Sequence, residues 1–237
     1  INMAVKAGAG LKDMGYIQLL PTTDPATGAT NHKIVESTNI YVNKQGNRFV
    51  NEQGRRDVLA KAALAQPDHV FYVIGTEQTL LKDKEGRGPY GILISDLLKQ
   101  KKAFKADTLD ELADKMGFTG AAKDTFLATV ERYNELYDKQ NDEDFGKPAY
   151  RLSAIRTAPF YGCWLGASLL TTEQGIAIND KGQALDNDNK PMPGLYVTGD
   201  MSGSFFANNY PCLMAGVAMG RTLTYAIKAI KQMGGLE

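Results

Sequence analysis

The chain has 237 residues, of which 43% are hydrophobic and 23% charged, and its 27 Lys and Arg side chains balance 27 Asp and Glu side chains. This composition is typical of a globular protein with one large domain or two small ones, and it excludes disordered and fibrous classes. The zero net charge does not favour binding to nucleic acid. No apolar run reaches the roughly 18 residues of a membrane span. Two cysteines and two histidines are too few for a metal cluster. We therefore expect no nucleic-acid partner, no membrane span and no metal site.

The first third of the chain predicts short elements separated by turns. It opens at Ile1 within a helical pattern, and an opening without a leader or a capping residue predicts that further sequence precedes it. Turn residues 43–47 between two alternating runs are a hairpin signal. In chain order we predict a helix over 2–12, an extended segment over 16–20 that Pro21 ends, a polar loop over 22–32, a hairpin with strands 40–42 and 48–50, a helix over 56–65 and a strand over 70–74.

The centre of the chain carries the strongest helix signals. Thr108-Leu-Asp-Glu111 is a capping box that opens a short helix, and Gly117 ends this helix. Over 120–139, apolar residues recur at spacings of four, three and four, which places them on one helix face. This stripe is predicted to lie in the core, and its members are Phe126, Val130, Tyr133 and Tyr137.

The last third favours strands followed by one long helix. The run 159–170 is apolar and aromatic and contains the tryptophan, and the short runs 176–178 and 183–185 flank a turn. A strand over 195–197 ends in Thr198-Gly199-Asp200, and a terminal helix is predicted over 216–232. Because strands and helices interleave along the chain, the fold class is α/β or α+β.

Two glycine-containing segments are candidates for ligand binding. Gly8-Ala9-Gly10 lacks the preceding strand and the third glycine of a dinucleotide fingerprint, so its glycines are predicted to end the first helix. Gly199-Asp200 ends a strand before a polar loop and a helix, where backbone N–H groups and a carboxylate can hold an electron-rich or hydroxyl-bearing ligand. A surface turn with a solvated Asp200 explains the same pattern.

Three segments resemble one family of flavoproteins. Residues 192–200, Met-Pro-Gly-Leu-Tyr-Val-Thr-Gly-Asp, resemble the carboxyl-terminal flavin-binding motif of the FAD-dependent fumarate reductase and 3-ketosteroid dehydrogenase superfamily, which includes flavocytochrome c-like flavoprotein subunits. Residues 43–52 with Arg55-Arg56-Asp57 are similar to the segment where that family's substrate-capping domain follows the first part of the flavin domain. The helix over 126–137 and the following 141–146 are similar to the last helix of the cap.

The resemblance implies the later half of such a protein, an α/β fold with an α+β cap. A Rossmann-like FAD-binding domain would be interrupted by the cap, with residues 1–22 and 156–237 in the flavin domain and 23–155 in the cap. The amino-terminal portion with the glycine fingerprint would precede the chain. FAD is the implied cofactor, held by Gly199 with Asp200 at a ribityl hydroxyl, and by the backbone near the flavin pyrimidine edge at Pro211, Cys212, Leu213 and Gly216.

The resemblance also assigns two catalytic residues. Arg56 matches the arginine that in fumarate reductases donates a proton to the substrate carbon opposite the carbon that receives hydride. A free guanidinium is effectively never deprotonated, so an arginine acts as an acid only in special surroundings. From the residues alone, a surface ion pair or a charge at the start of a helix also explains Arg56.

Tyr210 lies in a Tyr-Pro pair similar to that of ketosteroid dehydrogenases. It is either a hydrogen-bond donor to a substrate carbonyl or a structural ring.

Several positions depart from the fumarate reductase pattern. Leu20 replaces the histidine before the proline, and Val35 replaces the arginine of the proton relay. Thr171 and Thr172 lie in the region of a substrate histidine, and Asn209 stands where a second substrate arginine is expected. A dicarboxylate would lack the bidentate cationic partners that make its recognition strong, so we expect an acceptor other than fumarate.

Aromatic side chains and a thiol near these motifs have two interpretations each. Phe205, Phe206 and Trp164 either form the wall of an apolar substrate pocket or belong to the core. Cys212 either takes part in redox chemistry or is an inert buried thiol. The predicted substrate-binding residues are Thr172, Phe206 and Asn209.

The sequence thus supports two functions. The first is an FAD-dependent oxidoreductase that acts on a carbon-carbon double bond next to a carbonyl or carboxyl group, as a reductase with Arg56 as proton donor and inactive as this segment alone. Its expected partners are a small unsaturated substrate, the amino-terminal portion of the FAD domain and an electron-donor protein or domain. The second is a flavin-carrying or interaction module whose cap has lost its substrate groups.

Overall fold

The computed structural model describes residues 1–25, 34, 36–206, 210 and 216–235. Its helices are α1 Asn2–Lys6, α2 Arg56–Leu64, α3 Glu77–Leu80, α4 Ile94–Lys99, α5 Leu109–Met116, α6 Gly120–Lys139 and α7 Val217–Met233. Its strands are β1 Leu11–Lys12, β2 Ile17–Thr23, β3 Ile40–Val42, β4 Val70–Thr76, β5 Phe104–Ala106, β6 Phe160–Thr172, β7 Gly175–Ile176, β8 Gln183–Leu185 and β9 Pro191–Tyr196. Short 3-10 helices lie at Pro67–His69, Pro89–Gly91, Ala149–Arg151 and Gly199–Met201.

The chain divides into two compact units. We call Ile1–Leu19 with Leu169–Glu237 the terminal unit, and Leu20–Ser168 the central unit. The central unit is continuous in sequence, whereas the terminal unit is formed by the two ends of the chain. The assignment of these units to a flavin domain and a cap stays a prediction.

A sheet in the order β2-β6-β4-β3 forms the centre of the central unit, and β5 also pairs with β6. Strand β4 is antiparallel to both of its neighbours and every one of its residues is buried. Alternate side chains point to opposite faces of a strand, so Tyr72 and Ile74 join one core cluster while Phe71 and Val73 join another. The first cluster includes residues of α5 and α6, and the second includes residues of α2 and α4. Helices therefore cover both faces of the sheet.

The helix signals in the centre of the sequence are confirmed. Helix α6 has the predicted bounds, and three members of its apolar stripe, Phe126, Val130 and Tyr133, are buried in the first core cluster. The Thr108 side chain accepts a hydrogen bond of 3.1 Å from the Glu111 N–H, which caps α5. Gly117 ends α5 with a φ of 86°, a left-handed conformation that suits glycine.

Three predicted elements have other bounds in the structure. The first helix ends at Lys6, since Gly8 takes a φ of 98°, and residues 11–12 form β1 against β7 instead. The extended segment does not end at Pro21, because β2 continues to Thr23. The strand predicted over 195–197 is β9, which begins at Pro191 and pairs antiparallel with β8.

The predicted hairpin is only half formed. Its turn is present, and the Asn43 side chain accepts hydrogen bonds from the N–H groups of Gln45 and Asn47 at 2.9 and 3.1 Å. The second strand is reduced to one bridge between Val42 and Arg48. The Arg48 side chain forms a buried ion pair with Glu52, and the segment after Arg48 does not continue as a strand.

The terminal unit contains two-stranded antiparallel sheets, β1–β7 and β8–β9, together with α7. A Cβ on Gly175 would lie 2.6 Å from the carbonyl carbon of Met201, so only glycine permits this approach of two backbone segments. The mixed α and β character of the fold is confirmed, with antiparallel sheets, whereas the Rossmann-like and cap assignments stay predictions. In the described ranges no helix is long and apolar enough to cross a membrane.

Candidate functional site

A buried charge cluster lies beside the predicted cap motif, and it consists of Arg48, Glu52, Asp142 and Lys147. The Arg48 Nε and Nη2 atoms donate to the two Glu52 oxygens at 2.8 Å each. The Arg48 Nη1 and Nη2 atoms donate to the two Asp142 oxygens at 3.0 and 2.8 Å. The side chains of Arg48, Glu52 and Asp142 are at most 5% exposed, so these bidentate pairs are shielded from water.

Lys147 completes the buried charge cluster. Its Nζ atom lies 3.2 Å from Glu52 Oε2 and donates to the Asn39 carbonyl and the Tyr133 hydroxyl at 3.0 Å each. Burial lowers the pKa of Lys147 to about 8, although Glu52 opposes this shift. Burial also raises the pKa of Tyr133, and the negative charge of Glu52 adds to this shift. The two cations and two carboxylates sum to zero charge, as a buried ionic cluster requires.

The buried charge cluster anchors the segment that leads to Arg56. Glu52 lies four residues before Arg56, and the Asn51 carbonyl accepts from the Gly54 N–H at 2.9 Å, which closes a turn between them. Arg55 is the N-cap of α2, with extended backbone angles, and Arg56 is the first helical residue. The Arg56 side chain is partly exposed.

Two buried acceptor atoms belong to residues near Arg56 in the sequence, one three residues before it and one directly after it. Gln53 Oε1 and Asp57 Oδ1 receive no hydrogen bond from any described residue of the chain. The Asp57 carboxylate gains from the positive end of the α2 dipole, since it lies in the first turn. A buried acceptor without a donor is unfavourable, so these two atoms fit a ligand that carries N–H or O–H groups.

The Gly199-Asp200 motif of the terminal unit forms a tight turn. It lies in the 3-10 helix Gly199–Met201, three residues after β9 ends, and Gly199 has a φ of 71°. Asp200 is exposed, and its Oδ2 atom accepts a hydrogen bond of 3.0 Å from the Thr171 hydroxyl. A carboxylate has about four acceptor positions, so Asp200 retains the capacity to bind sugar-like hydroxyls. Thr172, the neighbour of Thr171, is partly exposed.

A buried arginine, which the sequence analysis missed, organises the aromatic residues of the terminal unit. Arg221 is 7% exposed, and its Nη2 atom donates to the carbonyl oxygen of Ser202 at 2.8 Å and to the Ser202 hydroxyl. The guanidinium carbon lies 4.7 Å from the ring centre of Phe205 and 5.3 Å from that of Phe206. Burial lowers the pKa of Arg221, although Asp200 opposes this shift.

Some of the predicted site residues are brought together and others are not. The rings of Phe206 and Tyr210 lie 4.5 Å apart, so both belong to the aromatic group around Arg221. Arg56 belongs to the central unit, and Trp164 on β6 packs against the first core cluster. Gly216, with a φ of 83°, precedes α7. The predicted residues outside the described part of the chain are Val35, Asn209, Pro211, Cys212 and Leu213.

Residues 1–212 match the model of a family described as "FAD binding domain". The chain belongs to this FAD-binding family. Relatives include NADH:fumarate oxidoreductase of Klebsiella pneumoniae (strain 342), 33% identical over 213 residues, which are 88% of this chain and 22% of that protein. NADH:acrylate oxidoreductase of Vibrio harveyi is 34% identical over 214 residues, which are 88% of this chain and 20% of that protein. This chain therefore spans about a fifth of the length of these curated relatives.

The solved structure of 3-ketosteroid delta1-dehydrogenase from Sterolibacterium denitrificans shares the fold. It matches 99% of this chain and 46% of its own with a TM-score of 0.78 and 22% sequence identity. The predicted membership of the fumarate reductase and 3-ketosteroid dehydrogenase superfamily is confirmed.

FAD is the cofactor that this family indicates, and described residues of the terminal unit fit it. Asp200 offers exposed acceptor atoms for hydroxyl groups. Helix α7 begins after Gly216 without a side-chain cap from any described residue, so its first N–H groups are suited to an electron-rich ligand atom. In the described residues no group of three or more His, Cys, Asp or Glu side chains could hold a metal ion.

Proposed function

We propose that this chain is part of an FAD-dependent oxidoreductase that reduces a carbon-carbon double bond next to a carbonyl or carboxyl group. The placement of Arg56 carries this proposal. It is a partly exposed arginine at the first position of a helix, and the segment before it is anchored by the buried charge cluster. The relatives named NADH:fumarate oxidoreductase and NADH:acrylate oxidoreductase support the same reaction class.

Each group of this chain has a proposed part in the reaction. FAD, when bound, supplies the hydride. Arg56 donates the proton to the other carbon of the double bond, and the Tyr210 hydroxyl donates a hydrogen bond to the substrate oxygen. Asp200 would hold a ribityl hydroxyl of FAD, and Pro211, Cys212, Leu213 and Gly216 would hold the flavin at its pyrimidine edge. Thr172, Phe206 and Asn209 contribute to the substrate pocket.

We also propose an acceptor other than fumarate. Leu20 is 7% exposed and apolar at a position where the fumarate reductase pattern has a histidine. The Thr171 hydroxyl, in the region of another such histidine, is engaged with Asp200. Neither residue can pair with a second carboxylate, whereas a phenol such as Tyr210 suits one neutral or enolate-like oxygen. A monocarboxylate or an enone fits these groups better than a dicarboxylate.

The same departures favour one alternative, a flavin-carrying module without catalytic activity. In this alternative, the protein shows a flavin spectrum that a reductant bleaches, but an unsaturated acceptor does not restore the spectrum afterwards. In the proposed enzyme, reductant bleaches the flavin spectrum and the acceptor restores it. An electron-donor protein or domain would supply the reductant in the cell.

The decisive experiment replaces Arg56 in the full-length protein. Arg56→Lys keeps the charge but changes reach and geometry, so flavin reoxidation by an unsaturated acceptor should slow by at least roughly a hundredfold, the usual scale of a general acid. The rate of flavin reduction should be unchanged. Arg55→Lys is the matched control, since Arg55 is an exposed neighbour that should tolerate the change. Equal reoxidation rates in the wild type and Arg56→Lys would remove Arg56 from the mechanism.

A further inference from the structure

Asn51 shapes the turn that leads from the buried charge cluster to α2. Its side-chain oxygen accepts a hydrogen bond of 2.9 Å from the Gln53 N–H, and its carbonyl oxygen accepts one of 2.9 Å from the Gly54 N–H. A side-chain bond to the N–H two residues further on is typical of the turns that asparagine favours. A Cβ on Gly54 would lie 3.0 Å from the Asn51 carbonyl oxygen, so a larger residue there would disturb the turn. The path of the chain over residues 51–54 is therefore set by Asn51.

The same side chain ties this turn to a distant loop. The Asn51 Nδ2 atom donates a hydrogen bond of 2.9 Å to the carbonyl oxygen of Gly146, which is 95 residues away in the sequence. Gly146 lies in a loop that is held together by Asp142. The Asp142 carboxylate accepts hydrogen bonds from the N–H groups of Asp144, Phe145 and Lys147. The Gly146 carbonyl is therefore a well-held acceptor for the Asn51 amide.

Glu52, the next residue, is attached to other parts of the central unit. Its Oε1 atom accepts a hydrogen bond of 3.1 Å from the Tyr41 N–H on β3, and its Oε2 atom lies 3.2 Å from Lys147 Nζ. Glu52 thus fixes the place where the turn begins. Asn51 fixes the direction in which the chain then leaves toward Arg56, which is five residues after Asn51 and is the first residue of α2.

We propose that Asn51 is a positioning residue for Arg56, which it places by fixing the turn over residues 51–54. This assignment rests on the proposed function, in which Arg56 donates a proton to a substrate carbon. A guanidinium on a long side chain reaches a defined point only if the backbone that carries it is fixed, and an error of about 1 Å in a reacting group can slow a reaction roughly a hundredfold. Asn51 is neutral and partly exposed, so its replacement leaves the charges of the buried cluster paired.

The test measures flavin reoxidation in the full-length protein by stopped flow, with the fastest acceptor of a panel of fumarate, cinnamate and a steroid enone. Asn51→Ala should lower the limiting rate of reoxidation by about ten- to a hundredfold. The rate of flavin reduction and the acceptor concentration at half-maximal rate should stay within about twofold of the wild type, because substrate binding is not altered.

Two further variants assign the effect to the turn. Asn51→Asp keeps the acceptor for the Gln53 N–H but places an oxygen against the Gly146 carbonyl, so its rate should lie between those of Asn51→Ala and the wild type. Asn179→Ala is the matched control, since the Asn179 side chain accepts from the N–H groups of Lys181 and Gln183 at 3.0 Å each in a turn of the terminal unit. This control should be as fast as the wild type.

The double variant Asn51→Ala with Arg56→Lys separates positioning from a merely structural role. If Asn51 acts only through Arg56, the double variant should be at most about twofold slower than Arg56→Lys alone. Rate losses that multiply would overturn the assignment. Asn51→Ala as fast as Asn179→Ala, beside a slow Arg56→Lys, would also overturn it and leave the proposed function standing. A fast Arg56→Lys, or a wild type that no acceptor of the panel reoxidises, would refute the proposed function and this assignment with it.

Discussion

The substitution Arg48→Met removes the guanidinium that joins two buried carboxylates. Glu52 would keep Lys147 as a partner at 3.2 Å, and Asp142 would keep the backbone N–H of Lys147 at 2.9 Å. Methionine preserves much of the packing against the rings of Tyr133 and Phe145, which lie 5.1 and 4.9 Å from the guanidinium carbon. The loss is therefore mainly one of charge compensation.

The magnitude follows from the burial of the cluster. Removing one partner of a buried ion pair destabilises a protein by about 3–5 kcal/mol, because an uncompensated charge remains. For a chain of this size, such a loss lowers the midpoint of thermal unfolding by roughly 6–20 °C. Arg132→Met is the matched control, since Arg132 also contacts carboxylates, Asp144 at 2.9 Å among them, but is 38% exposed. The control should lose about 0–1 kcal/mol.

The assay is urea-induced unfolding followed by circular dichroism at several pH values. Burial favours the neutral form of Asp142, but hydrogen bonds from Arg48 and from backbone N–H groups hold its pKa below the ordinary 3.8. Such a carboxylate stabilises the fold above its unfolded-state pKa, and this contribution is lost as the pH falls through the folded-state pKa. The deficit of Arg48→Met should be full at neutral pH and shrink below about pH 4. A variant no less stable than Arg132→Met at neutral pH would refute the reasoning.

Two further predictions concern ionisation and substrate binding. The pKa of Lys147 is lowered to about 8 from 10.5, so above pH 8 the unfolded chain holds a proton that the folded chain releases. The free energy of unfolding should therefore rise between about pH 8 and pH 10.5, by up to about 1.4 kcal/mol per pH unit, and Lys147→Met should abolish this slope in urea titrations. Tyr210→Phe keeps the ring beside Phe206 but deletes the hydroxyl, so reoxidation by a cinnamate-like acid or an enone should slow by roughly a hundredfold in stopped flow. Fumarate should be a poor acceptor for the wild type, and its rapid turnover or an unimpaired Tyr210→Phe enzyme would contradict this assignment.

Elements with a complete local signal could be predicted from the sequence. Helix α6 has bounds that match the prediction because its spacing of apolar residues is compatible only with one helix face. The capped start of α5 at Thr108 is equally local, since its donor and acceptor are three residues apart. Such features need no knowledge of the rest of the chain.

Features that depend on distant partners could not be predicted. Arg48 lies in an alternating run that favours a strand, but its ion-pair partner Asp142 is 94 residues away. Residues 11–12 continue a helical pattern, yet they pair with Gly175–Ile176 as a strand. Arg221 stood within a predicted helix, and only the folded loop that carries Ser202 and the two phenylalanines shows why it is buried. In each case the energetic term that decides the structure is absent from the local sequence.

The segment that resembles the family combines an anchor with a chemical group. Arg48 and Glu52 are held within the buried charge cluster, and Arg56, four residues after Glu52, is partly exposed. The cluster also depends on a distant contact, because Lys147 Nζ donates a hydrogen bond to the carbonyl oxygen of Asn39, which is 108 residues away in the sequence. Completing the fold of the central unit is therefore a condition for fixing the backbone at the start of α2. A proton donor gains from such an anchor, because a transferred proton tolerates little error in the position of the group that carries it.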